Sequence, residues 1–116
     1  GGLVIKTKGT IFPLSWAKGK IVFGPIKKYS GSLPDLSVND RGEILLLKEI
    51  INLSLVKKSE ALKIKGLISA KKSDDFPTPL TLAQLKNPED EEKIAAQESK
   101  KSVLDPKNKV LGIVNF

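Results

Sequence analysis

The sequence predicts one mainly β domain with a single helix set into a long loop, and three observations carry that prediction. Short apolar runs bounded by Gly, Pro, Asn and Asp recur along the chain, as in "GLVIKTKG", "KGKIVFG" and "VLGIVNF". No run is long enough to cross a membrane as a helix. One segment alone, "NPEDEEKIAAQESKK", combines helix-starting with helix-ending signals. With 116 residues, 40% of them hydrophobic, the chain has apolar mass for one domain and one modest core over residues 1–116.

Each element follows from its local pattern. "GLVIKTKG" (Gly2–Gly9) alternates and ends on Gly, as a strand with one wet face does. "TIFPLSW" (Thr10–Trp16) contains Pro13, which predicts a loop or an edge. "KGKIVFG" (Lys18–Gly24) is a short β-branched run between glycines. "GSLPDLSVNDRGEI" (Gly31–Ile44) reads as a hairpin, with Asn39-Asp40-Arg41-Gly42 supplying residues that tolerate turn angles. "EILLLKEIINLSLV" (Glu43–Val56) suits a helix by its Leu and Lys content, or a strand, a bend and a second extended segment by its length. "ALKIKGLIS" (Ala61–Ser69) alternates Leu62 and Ile64 with Lys63 and Lys65, a strand pattern.

The long loop spans 76–106, with a helix around 88–101. Asn87 stands as N-cap, Pro88 at the first helical position, acids in the first turn and Lys in the last. Ile94, Ala95 and Ala96 are its contact residues, and "VLGIVNF" (Val110–Phe116) closes the domain as a strand.

Composition narrows the chemistry. With no Cys there are no disulfides, thiol nucleophiles or zinc–thiolate sites, and with no His the usual imidazole ligand and general base are missing. Acids do not recur at a calcium-loop spacing. Carboxylate-only metal sites and carboxylate pairs stay open on composition alone, and no catalytic residue is assigned.

The net charge of +7 is uneven. Lys6, Lys8, Lys18, Lys20, Lys27 and Lys28 fall within the first 30 residues, which hold no acid. They form a candidate basic patch for a polyanion or an acidic protein, or else a solvated strand face. One Trp, one Tyr and no Arg run interleaved with aromatics argue against a single-strand nucleic-acid platform. The chain has no Met, even at position 1, which fits either processing from a secreted precursor or a Gly1-Gly2 remnant of a tag.

Taken in order, the segments resemble the copper/zinc superoxide dismutase family. "YSGSLPDLSVNDRGEILLLKEIINLSLV", "ALKIKGLISAKKSDDF" and "KVLGIVNF" are similar to its His-x-Gly-Asp-Leu turn, Asp-Gly turn, ligand-ending strand, Asp-Asp pair and closing strand. "GGLVIKTKGT" and "TIFPLS" are similar to its His-Gly-Phe-His-Val-His-Glu-Phe-Gly-Asp and His-Phe-Asn-Pro-Leu-Ser.

The resemblance implies a Greek-key β-sandwich or barrel whose metal positions are replaced. The first copper ligands fall on Val4 and Lys6, the bridging ligand on Thr10, and the zinc ligands on Lys18, Tyr29 and Ser32. The last copper ligand falls on Ala70, the substrate-guiding arginine on Asp105, and the bridging aspartate survives as Asp74 or Asp75. Val and Ala offer copper no donor and a Lys ammonium repels it, so the resemblance implies no metal, no cofactor and no enzyme.

The family's opening strands lie before Gly1, so the implied barrel is incomplete at its N-terminus and has unpaired edges. Other protein chains then supply strands, as a homo-oligomer or a second fragment of one precursor, or else the remaining strands rearrange into a smaller sandwich. The interaction residues are then the strand-like termini, Leu3, Val4, Ile5, Ile113, Val114 and Phe116. The expected role is structural, an assembly through strand pairing; the alternative is a basic binding module.

Overall fold

In the computed structural model, which describes residues 9–29, 41–47, 51–71, 76–98 and 100–114, two long strands organise the rest. β1 (Gly9–Lys18) and β2 (Val22–Tyr29) are joined by a tight turn. Gly19 sits there at φ 106, and a Cβ on it would lie 2.8 Å from Thr81 Cα. The Thr81 hydroxyl donates to the Lys20 carbonyl at 2.5 Å across that approach.

Each long strand changes partner halfway. β1 pairs through Gly9–Pro13 with β7 (Val110–Val114) and through Leu14–Lys18 with β5 (Thr81–Leu85), with an irregularity between Leu14 and Trp16. β2 pairs through Val22–Pro25 with β6 (Lys101–Asp105) and through Ile26–Tyr29 with β3 (Ile44–Leu47). Pro13 and Pro25 stand at the two handovers. A proline has no N–H to give a ladder, so it fits where one ladder ends and the next begins. Backbone bonds resume at once, Leu14 N–H to the Lys109 carbonyl at 2.9 Å and Ile26 N–H to the Lys100 carbonyl at 3.0 Å. Pro13 therefore lies inside a strand, and the loop or edge expected for Thr10–Trp16 is corrected.

With β4 (Gly66–Ser69), the described strands close into a seven-strand barrel in the order β1-β5-β4-β3-β2-β6-β7. The ladders β2·β3, β3·β4 and β4·β5 are parallel, and the others are antiparallel. Mainly β is right. The edges expected of an incomplete barrel are absent among the described strands, because β1 closes the ring through both β5 and β7. β3 has parallel neighbours on both sides, so Ile44–Leu47 is not the second arm of a hairpin. The first arm, within 30–40, lies outside the described residues.

Parallel neighbours need a crossover, and α1 (Leu53–Ala61) supplies it between β3 and β4. Asn52 caps α1, its Oδ1 accepting the Leu55 N–H at 2.9 Å. At the other end Lys63 takes φ 61, and the Ile64 N–H returns to the Ser59 carbonyl at 3.0 Å. The strand expected over Ala61–Ser69 thus begins only at Gly66. Leu62 and Ile64 face the layer under α1 rather than a ladder partner.

α2 (Asp90–Ala95) is shorter than the helix expected around 88–101, and Asn87 does not cap it with its side chain. The Asn87 carbonyl accepts the Asp90 N–H in a preceding turn. The span read as a long loop holds β5 and β6 on either side of this helix.

Two apolar layers result. Phe12, Leu14, Ile26, Ile44, Leu46 and Leu104 fill the barrel with their neighbours, and Ile94 of α2 joins them fully buried. Leu45, Leu47, Leu67 and Leu82 face outward under Leu55 and Val56 of α1.

Candidate functional site

Outside the α1 layer, one sheet face meets water with apolar side chains. The ladders β1·β7, β7·β6 and β6·β2 place Ile11 beside Gly112, Gly112 beside Val103, and Val103 beside Phe23. Register neighbours share a face. This row of four points outward, because the alternate residues Phe12, Leu111, Ser102, Leu104 and Val22 are buried. Ile11 is 70% exposed and Phe23 64% exposed, and Val103 is half-buried between them.

The rows above and below extend it. Val110 and Pro13 pair on the Asp105 side of the row, with Ile21 leading into β2, 48% exposed. Pro25 pairs with Lys101 on the other side, with Val114 on the neighbouring strand. A groove of about 430 Å³ runs here, lined by Phe23, Pro25, Lys101, Val103 and Val114. Gly112 leaves a notch in the face, since a Cβ built on it meets nothing within 4 Å.

The two charges on this face lie on one strand, on opposite sides of Val103. Lys101 is exposed. Asp105 is fixed by the β6–β7 turn, where the Asn108 side-chain amide donates to its Oδ2 at 2.7 Å and the Asn108 backbone N–H to its Oδ1 at 3.2 Å. The side-chain bond first, and then the backbone bond, hold the Asp105 carboxyl below its ordinary range.

Two other depressions are more polar. One of about 390 Å³ lies between Lys28 and the Glu91–Glu92 face of α2, and one of about 380 Å³ lies over Lys20, Asp105 and Lys107. Among the described residues no three His, Cys, Asp or Glu side chains come together as a metal site.

The residues singled out in the sequence scatter. Leu3, Val4, Ile5, Lys6, Lys8, Ser32, Asp74, Asp75 and Phe116 lie outside the described residues. Ile113 is buried inside the barrel and Val114 borders the groove. Lys18 donates from Nζ to the Phe76 carbonyl at 2.6 Å. Lys20 is at the β1–β2 turn, whereas Lys27 and Lys28 are at the far end of β2, about 25 Å away along an extended strand. Among the described residues, Lys20 therefore stands at one end of β2 and Lys27 and Lys28 at the other. Tyr29 packs in the α1 layer and Ala70 against the barrel interior, on opposite faces of the sheet.

Phe23, Ile11 and Val103 went unmarked in the sequence reading. A signal was present: "VLGIV" and "IVFGP" are apolar at consecutive positions, so both faces of those strands are apolar. A strand with one wet face alternates instead.

The fold defines a class, a closed barrel of mixed strands with a helix over its parallel half. No protein-family model matches the chain, and no curated protein matches it in sequence. Among solved structures it is similar to a UPF0107 protein determined by solution NMR, with a TM-score of 0.65 and 11% identity, covering 91% of this chain and 100% of that one. It also matches the microcin C7 self-immunity protein MccF, in complex with glutamyl sulfamoyl guanosine, at a TM-score of 0.41 and 13% identity. That match covers 97% of this chain and 42% of MccF, so the chain spans under half of MccF's length.

The likeness to the UPF0107 protein is one of fold alone, and it overturns the resemblance to copper/zinc superoxide dismutases. Parallel ladders between β2, β3, β4 and β5 are foreign to an antiparallel Greek key. The positions carried over from that family therefore no longer stand as metal positions.

Proposed function

We propose that the chain is a non-catalytic interaction module that docks a protein surface of apolar centre onto the outer face of β1, β7, β6 and β2. The observation that carries this reading is the exposed row from Ile11 to Phe23, continuous across four strands. Contiguous apolar patches mark interaction sites more often than scattered single residues do. The earlier idea of assembly through free strand edges gives way to assembly through a face, because the described barrel is closed. Burial of such a face gains about 25 cal/mol per Å² of apolar area.

The test is binding of an apolar reporter dye, anilinonaphthalene sulfonate, to dilute protein. Phe23→Ser with Ile11→Ser is expected to lower dye fluorescence several-fold and leave the melting temperature unchanged. Dye binding that ignores both substitutions, or a variant that melts far lower, would show that this face is not an accessible docking surface.

A further inference from the structure

The arrangement of charge on the docking face points to its occupant. We propose that a second copy of this chain sits on it, related by a two-fold axis along the row Ile11–Gly112–Val103–Phe23. This rests on the reading of that face as a docking surface.

The argument starts on β6, whose outward residues are Lys101, Val103 and Asp105. Opposite charges stand at equal distances from Val103. A half-turn about the row exchanges those two positions. Each Lys101 then faces the Asp105 of the other copy, and two ion pairs flank the apolar centre. A half-turn about an axis along β6 does the reverse, setting Lys101 against Lys101 and Asp105 against Asp105, which like-charge repulsion disfavours. The order of charges thus selects one of the two in-plane axes.

The same operation matches the apolar positions. Val110 of one copy meets Val114 of the other on β7, and Ile21, just before β2, meets Pro25. Residues on the row meet their own counterparts, as an isologous contact requires. Phe23 packs on Phe23, and the notch at Gly112 lets the two sheets approach to the roughly 10 Å of face-to-face packing. Asn108 keeps Asp105 in place and charged for its part in the pair.

The size of the face limits how tight the dimer is. Four strands about 4.8 Å apart and five residues of about 3.3 Å rise give a footprint on the order of 300 Å² per copy. That belongs with small, transient interfaces. The other lysines face like charges in the dimer, Lys20 and Lys107 at one end and Lys27 at the other. Net charge of +7 on each copy adds to that repulsion. Salt screens that repulsion and the two ion pairs alike, so association changes little as salt rises. An acidic partner or a polyanion would bind more weakly as salt rises.

Analytical ultracentrifugation of the full chain tests the proposal. The wild type is expected to show a concentration-dependent monomer–dimer equilibrium. Lys101→Asp alone and Asp105→Lys alone are each expected to weaken it at least tenfold. An equimolar mixture of the two variants is expected to recover dimer to within a few-fold of wild type, because each Asp then meets a Lys. Asp105→Asn keeps an acceptor for Asn108, so if Asp105→Lys fails to fold, Lys101→Asp with Asp105→Asn should associate more strongly than Lys101→Asp alone.

A wild type that stays monomeric at millimolar concentration, single variants that dimerise normally, or a mixture and double variant that recover nothing would each overturn the two-fold dimer. A monomeric wild type whose dye binding still depends on Phe23 overturns the second copy and leaves the docking face standing. Loss of that dependence removes both.

Discussion

The parallel and antiparallel halves of this barrel handle their outer faces differently. In the parallel half, β3 and β4 are buried at every position, and α1 supplies the second layer from within the chain. In the antiparallel half, β6 and β7 alternate between buried and less buried positions, and no described element covers the outside. Parallel strands with crossovers are enclosed on both faces as a rule, whereas antiparallel ones tolerate water on one side. What departs from that rule is the chemistry of the wet side, where Ile11, Phe23 and Ile21 stand where polar residues would be expected. The same apolar character that is satisfied within the chain on one half is left for another molecule on the other.

Four substitutions and one titration break or sharpen this contrast. Leu67 lies fully buried under α1, so Leu67→Ala should cost about 2–5 kcal/mol in urea unfolding. A loss near zero would mean that α1 does not seal the parallel half. Gly24 lies where the two halves meet, and a Cβ on it would come within 2.4 Å of the Gly42 carbonyl oxygen. Backbone must move to admit it, so Gly24→Ala should cost about 1–3 kcal/mol. Unchanged stability would show that the two backbones do not press on each other there.

Asn52→Ala removes the side-chain acceptor of the α1 cap and should cost about 1 kcal/mol, read by the same unfolding curves. Phe23→Ser, at the exposed end of the row, should change monomer stability by no more than about 0.5 kcal/mol. A loss of several kcal/mol there would make the antiparallel face a core.

The smallest effect is a titration of the β6–β7 turn. Asp105 has a folded pKa lowered from 3.8, so its contribution is present above that value and lost as pH falls through the lower folded value. Wild type and Asp105→Ala should therefore differ in stability at neutral pH and converge in acid. A difference that stays constant to the lowest accessible pH would remove the charged hydrogen bonds with Asn108 as its source.

Much of the strand content was legible, and the reasons for the failures are specific. Val110–Val114 is a strand where the apolar ending predicted one. Glu43–Val56 matches neither of its two readings whole, because four residues of β3 and the start of α1 share one leucine-rich run. Lys63 and Lys65 imitated a strand alternation, yet Lys63 turns the chain at a helix end through a positive φ. Asn87 and Pro88 carried good local helix signals, but Ile94 must reach the barrel core, and that places the helix at Asp90–Ala95. Local order of turns and strands suggested a dismutase, and the parallel pairings that exclude it are long-range and leave no local mark. The exposed row escaped the sequence for a related reason. Charge drew attention to the lysines, whereas the exposed row is assembled from four strands distant in sequence.

The partner changes at Pro13 and Pro25 have a consequence for how the domain comes into being. β1 and β2 each belong to both halves, so neither half has a sheet of its own to retain when the other is lost. Unfolding should therefore be a single cooperative event. Gly9 finds its partner only in Val114, after nearly the whole described chain has passed. Barrel closure on a ribosome must wait for that last strand, and such distant pairing places folding among the slow topologies, in milliseconds to seconds.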